Sequence, residues 1–404
     1  MNFTLRKLGP GILFAGAAIG VSHLVQSTRA GADFGFGLIW ALILINLIKF
    51  PFFQFGTRYT IATGHDLLLG FKKLGTWVLG MYFVLTFLTM FTIQTAVTIV
   101  TAGIATSLFG FGTPLLWAGA ILGICFAILL IGRFRFLDRL MKIIVLILTI
   151  STFAAVVLAF KQFEGPLVLT QIIPESVAGI AFLIAFMGWM PAPLDLTVWQ
   201  SIWTIEKKTT QPDIRDKEVL ADFKIGYIAT VIIGLGFLVL GALIMNGTQQ
   251  QFASSAGGFA NDLIQMYTSS LGDWSKFLIG MAALTTMFST TLTTLDASPR
   301  VMQRAASLLF SFRVPRGYLV WLIILILGTF TIYLGFTEQM GTLIKIATIV
   351  SFLSAPFYAI VIHTLVHSDH LAKEDQPSKI LSLFSLLCIF LLIGFSFWYI
   401  TTLF

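Results

Sequence analysis

The chain has 404 residues, 57% of them hydrophobic and only 11% charged, with a formal net charge of +7. Soluble domains carry about 25% charged residues, and apolar runs recur here from end to end, so the composition excludes a soluble globular protein and predicts a polytopic membrane protein. With no nucleophile elbow, zincin motif or phosphate loop in the chain, an enzyme is not expected, and no cofactor is implied.

Eleven spans are expected, at roughly 8–34, 37–61, 76–107, 112–131, 139–160, 177–202, 223–245, 277–297, 318–335, 341–365 and 378–402. The opening MNFTLRKLGPGILF is leader-like but reads as part of a retained first span. Cys125 and Cys388 lie in apolar runs and read as small buried hydrophobes. With the N-terminus inside, twenty of the 25 Lys and Arg fall on the cytoplasmic side, among them Arg6, Lys7, Arg58, Arg133 and Arg313. Lys161 and Lys276 fall outside, and Arg29, Lys49 and Lys345 within spans. The expected setting is therefore a cell membrane, such as an inner membrane, with the C-terminus outside. The same asymmetry explains the basic balance without nucleic acid.

Span 1 carries AGAAIGVSHLVQSTRAG (Ala15–Gly31), whose small residues give way to Ser22, His23 and Arg29. Span 2 places Lys49 about a dozen residues from either end, where a charge is costly and a functional candidate by default. It could pair with Asp195, offer positive charge to an anion path, or change protonation during transport. Asn46, Gln94 and Thr95 are candidates for a cavity wall. Span 6 carries FMGWMPAPLDLTVWQ (Phe186–Gln200), where Pro191 and Pro193 each remove an amide donor and clash with the preceding turn, so a break is expected at 188–193. The outer segment 246–276 is the longest loop, and its 259–267 part could form a helix on the outer surface. In span 8, TTMFSTTLTTLDASPR (285–300) suggests one polar face, with Ser289 and Thr293 as possible cavity groups and Asp296 and Arg300 as a structural or gating pair. Glu338 and Lys345 open span 10. His363, His367, Asp369 and His370 read as an interface cluster rather than a metal site.

Broken helices at membrane depth are tolerated only against protein or a watery cavity. Two of them five spans apart fit an inverted repeat of five plus five helices, 8–160 and 177–365, with 378–402 as an extra span in a single domain 1–404. Such paired breaks point to the substrate site of a secondary transporter.

From Gly9 through Gly64 the chain resembles the Nramp family of divalent metal transporters, on the GP at Gly9, AGA at 30–32, GF-GF at 35–38, Trp40 and TG at 63–64. Met190–Pro191 matches the family's sixth-helix motif. The resemblance implies an all-α, LeuT-like fold with helices 1 and 6 unwound at the centre, often with proton coupling. The family's helix-1 signature Asp-Pro-Gly-Asn falls on Gly20, Val21, Ser22 and His23; its Met-Pro-His-Asn falls on Met190, Pro191, Ala192 and Pro193. The histidine one turn further on is Thr197, and residues 76–107 hold no Asp or Glu.

Without the central carboxylate a divalent ion would face His23, Ser22, Met190 and backbone carbonyls, with Asp195 the nearest acid in span 6, and Met187 is a further substrate-site candidate. Met190, Asp195 and His23 are the alternative metal set. The same site reads as an anion site: helices resuming near Leu24, with Ser22 as N-cap, and near Leu194, with Pro193 in the first turn, would turn amides toward Ser22, His23 and Ala192, and helix N-termini favour negative charge. His23 is either a donor there or a buried histidine satisfied by a carbonyl. Arg29 either lines the outer entrance or reaches the interface. The expected cargo is a small inorganic ion, first a small anion such as bicarbonate, with Na+ or H+ as possible coupling ion. The alternative is a proton-coupled Mn2+, Fe2+ or Mg2+ transporter. A monomer in the bilayer suffices for either.

Overall fold

The computed structural model describes residues 9–131, 134–247, 253, 256–310, 315–335 and 339–404. The leader-like start with Arg6 and Lys7, and also Arg133, Arg313, Glu338 and most of 248–255, lie outside the described residues.

All regular secondary structure among the described residues is helical. In chain order they form α1 (Pro10–Ala18), α2 (Ser22–Phe34), α3 (Ile39–Thr63), α4 (Leu67–Leu74) and α5 (Thr76–Phe109). Next come α6 (Pro114–Ile131), α7 (Phe134–Gln162), α8 (Val177–Trp189), α9 (Leu196–Thr210) and α10 (Asp216–Ile244). The chain closes with α11 (Ala256–Leu271), α12 (Lys276–Phe310), α13 (Gly317–Gly335), α14 (Met340–His367) and α15 (Lys379–Thr401). Local chemistry sets the ends. Asp66, Ser176 and Ser378 cap α4, α8 and α15 by accepting from the backbone N–H three residues on. Gly64 and Gly110 close α3 and α5 in the left-handed region.

Each of the eleven expected spans has its helix. Among the described residues eight helices are long and apolar enough to cross a bilayer, and α1 with α2 makes a ninth, bent by 52° at its break. The other two are α7 and the pair α8–α9, where thirteen apolar residues stop at Trp189 and the chain resumes at Leu196. The amphipathic eight-residue α4, with its basic last turn, has no counterpart among the expected spans.

The peripheral α6 and α15 have mean hydropathy 2.5 and 2.6, with 22% and 28% of their spans buried, whereas α10, equally apolar at 2.5, is 56% buried beneath the first span. The central α12 and α3 have mean hydropathy 1.4 and 1.6 and are 72% and 67% buried. The outer helices offer Leu, Ile and Phe to lipid, while the inner ones bury Thr, Ser and Gln against one another.

Both halves of the first span lie directly on α10. A Cβ on Gly226 would stand 2.0 Å from the Gly11 carbonyl oxygen, and one on Gly31 would stand 1.9 Å from that of Leu238. Only glycine permits backbones so close. Asp222, in the second turn of α10, accepts from the Gly9 and Gly11 N–H groups at 3.1 and 2.7 Å and so caps α1.

Candidate functional site at the broken helices

The two breaks face each other across a small cavity of about 40 Å3. Since one water needs about 10–15 Å3, it suits a small ion or a few waters. Its wall is built from Gly20 and Ser22 at the first break, Ala192, Pro193, Asp195 and Trp199 at the second, and Thr290 and Thr294 of α12. Trp189, Ile93 and Val97 complete the apolar side.

At the first break the chain resumes as helix by Val21, and Ser22–Ser27 winds as a π-helix, a form frequent at functional sites. Resumption is earlier than the expected Leu24, so Ser22 sits inside the first turn and not at the cap. Its hydroxyl lies 2.8 Å from the Ala18 carbonyl oxygen, which the break has freed, and 2.7 Å from His23 Nδ1. His23 Nε2 donates to the Thr230 carbonyl of α10 at 3.0 Å; a carbonyl only accepts, so that nitrogen carries hydrogen. His23 is fully buried toward α10, outside the cavity wall. Its geometry is that of a histidine satisfied by a carbonyl.

Gly20 occupies the place of the missing acid, and the space a side chain would need is taken. A Cβ there would stand 2.9 Å from both Oγ1 and Cγ2 of Thr290. Thr290 is held by its own role: its hydroxyl lies 3.2 Å from the Ile19 carbonyl oxygen and 3.4 Å from that of Gly16, at the frayed end of α1. Thr294 donates to Gln94 Oε1 at 2.6 Å, and the Gln94 amide lies 3.2 Å from the Thr291 carbonyl oxygen. Gln94 thus stands behind the wall and positions Thr294.

At the second break α8 ends on Trp189, the Met190–Pro191 peptide is cis, and α9 begins at Leu196 with Asp195 before it. The resumption expected at Leu194 comes two residues later, and Pro193 stays in the break. Lys49 reaches this break from α3. Its Nζ lies 2.6 Å from the Gly188 carbonyl oxygen, 2.9 Å from that of Met187 and 3.1 Å from that of Ala192. The side chain is fully buried and pairs with no acid; it acts on Asp195 through space. Met187 thus contributes a carbonyl, already taken, and its side chain is off the wall. Met190 is also off the wall: Ser27 donates to its sulfur at 3.9 Å, beside Gly234 of α10.

The other expected residues are scattered. The Asn46 side-chain amide donates to the Leu42 carbonyl, and the Asn46 backbone carbonyl accepts from the Tyr227 hydroxyl. Arg29, half-buried, lies near Gly341 and acts on Asp33. Thr197 is buried against Gly56 with its hydroxyl unpartnered. Ser289 and Thr293 are buried but off the wall. Asp296 pairs with Arg300 at 2.7 Å and accepts from Tyr318 at 2.7 Å. Arg300 and Tyr318 line a separate cavity of about 780 Å3 at the basic end of the bundle, which shares no lining residue with the central one. His363 and His367 bond to Ser385 and Ser382 and tie α14 to α15. Among the described residues no three His, Cys, Asp or Glu side chains are grouped to hold a metal.

Two wall features have no counterpart in the sequence reading. One is the Thr290/Thr294 pair. The other is Trp199, whose indole N–H is buried without a partner. Trp199 lies one helical turn past Asp195, a spacing that could have flagged it.

The family model "Natural resistance-associated macrophage protein-like" matches residues 11–402. The chain belongs to the Nramp family. Among its relatives is the Pasteurella multocida protein PM0681, described as uncharacterized, 35% identical over 374 residues, covering 91% of this chain and 86% of the other. Among solved structures, this Nramp-family chain is similar to the Eremococcus coleocola manganese transporter bound to an aromatic bis-isothiourea compound (TM-score 0.72, 15% identity, 98% and 94% of the two chains covered). It is also similar to MhsT with L-phenylalanine (TM-score 0.67, 15% identity, 98% of each chain covered). The fold is therefore LeuT-like, with the first and sixth spans interrupted, and the family marks a multi-pass secondary transporter rather than an enzyme.

Proposed function

We propose that the protein moves a small anion, with bicarbonate the first candidate, by alternating access at the cavity between the two breaks. Repeats 8–160 and 177–365 are the rocking units, and the N-terminus lies in the cytoplasm. The observation that carries the sign of the cargo is the Trp199 indole N–H, a buried donor without a partner on a wall residue. A donor of this kind attracts an acceptor and repels a metal ion. Three further features support the reading. Gly20 leaves no carboxylate at the first break, the Met190 thioether is engaged away from the cavity, and Lys49 already saturates carbonyls at the second break. The first-turn amides at Val21 and Ser22 lack intrahelical acceptors, a feature that favours negative charge.

Asp195 opposes an anion when ionised and assists it when protonated, since the acid form brings an O–H donor. Proton symport is therefore the coupling that suits this wall.

Divalent-metal transport is the second reading. It is favoured by the likeness to a manganese transporter and by Asp195 on the wall. Purified protein in sealed liposomes, given labelled bicarbonate and Mn2+ in parallel under imposed pH gradients, separates the two. Saturable, proton-driven bicarbonate uptake is expected, and saturable Mn2+ uptake with none of bicarbonate would reverse the assignment.

A further inference from the structure

The contacts of Lys49 are those of a coordinated cation rather than an ion pair. Three backbone oxygens, from Met187, Gly188 and Ala192, surround its Nζ at 2.6–3.1 Å. Two of them belong to the last turn of α8, where carbonyls lose their intrahelical partners and the helix dipole is negative. The third comes from the unwound segment. Three acceptors match the three N–H groups of an ammonium. Carbonyls at the C-terminal end of a half-helix, joined by unwound backbone, are the groups with which interrupted transporter helices hold a coupling alkali ion.

We propose that the Lys49 ammonium is a tethered replacement for that ion: it fills the carbonyl cradle at the end of α8, so the transport cycle needs no Na+ there. The inference rests on the alternating-access reading but not on the sign of the cargo. The tether runs from α3, so the ammonium that braces the second break cannot exchange with the medium.

Cation binding tests this without transport. In detergent, the thermal midpoint of the wild-type protein is expected to be the same in Na+, K+ and N-methylglucamine, and indifferent to methylammonium. Lys49→Ala strips the cradle. Its midpoint should fall and then recover saturably, by a few degrees, with methylammonium or an alkali cation. Lys49→Met fills the tether's volume with an apolar chain and should show no such recovery. A folded Lys49→Ala protein indifferent to all these cations would overturn the proposal, as would a saturable Na+ response of the wild type in midpoint or uptake. If Lys49→Ala does not fold, the wild-type titration decides alone. Failure to move any cargo would count against the function proposed above and leave these binding results standing.

Discussion

Restoring an acid at residue 20 takes more than one substitution. The Cβ of Gly20→Asp would meet Thr290 at 2.9 Å, and Thr290 is held by carbonyls of α1. Overpacking of this kind costs about 1–3 kcal/mol. Gly20→Asp alone is expected to lower the thermal midpoint without conferring Mn2+ uptake, whereas adding Thr290→Ala should recover part of the loss; midpoints of the single and double variants check it. Trp199→Phe removes the free N–H and keeps the ring. A hydrogen bond to a charged partner contributes about 1.5–3 kcal/mol, so the apparent bicarbonate affinity should fall at least tenfold with the fold intact. Asp195→Asn keeps a donor but cannot exchange a proton. Uptake should then become insensitive to an imposed pH gradient, and persistence of the gradient response would remove Asp195 from the coupling route.

Elements were more legible than side-chain directions. Pro191 and Pro193 announced the second break because missing amides forbid a helix whatever surrounds them. The first break leaves only small residues and a polar run, which do not distinguish a resumption at Val21 from one at Leu24. In α12 the hydroxyls Ser289 and Thr293 were expected in the wall, but Thr290 and Thr294 line it. One residue along a helix is about 100° of rotation. Because α12 is buried on nearly all sides, its sequence offers little polar contrast to set the phase. His23 and Met190 were misplaced for a related reason. Both are polar-capable residues at a break, and only packing against α10 shows that they turn away from it. The breaks themselves can be tested. Pro191→Ala with Pro193→Ala would let α8 continue, and intrahelical amides would then compete with Lys49 for the Met187 and Gly188 carbonyls. The double variant should stay helical by circular dichroism and lose uptake.

For the whole molecule, hydropathy marks the eight long apolar helices found among the described residues, because lipid forces every spanning backbone to satisfy itself. It could not give the contacts between spans, which glycine and hydroxyl residues decide. The proposed orientation, N-terminus inside, rests on the charge asymmetry and is open to direct measurement. A reporter fused after Phe404 is expected to be active only in its extracytoplasmic form, and thiol labelling should reach a cysteine at Lys276 from outside but not one at Lys217. Native Cys125 and Cys388 are buried and should leave that background low.

The glycine contacts between the first span and α10 have a mechanical corollary. Gly11 and Gly31 press on the same helix on opposite sides of the kink, like two pins through one rail. Neither half can slide along α10 without first lifting away, so the kink can flex only if α10 travels with one leaf or peels from it. A single methyl at Gly226 would act as a wedge under the inner leaf and hold the door ajar.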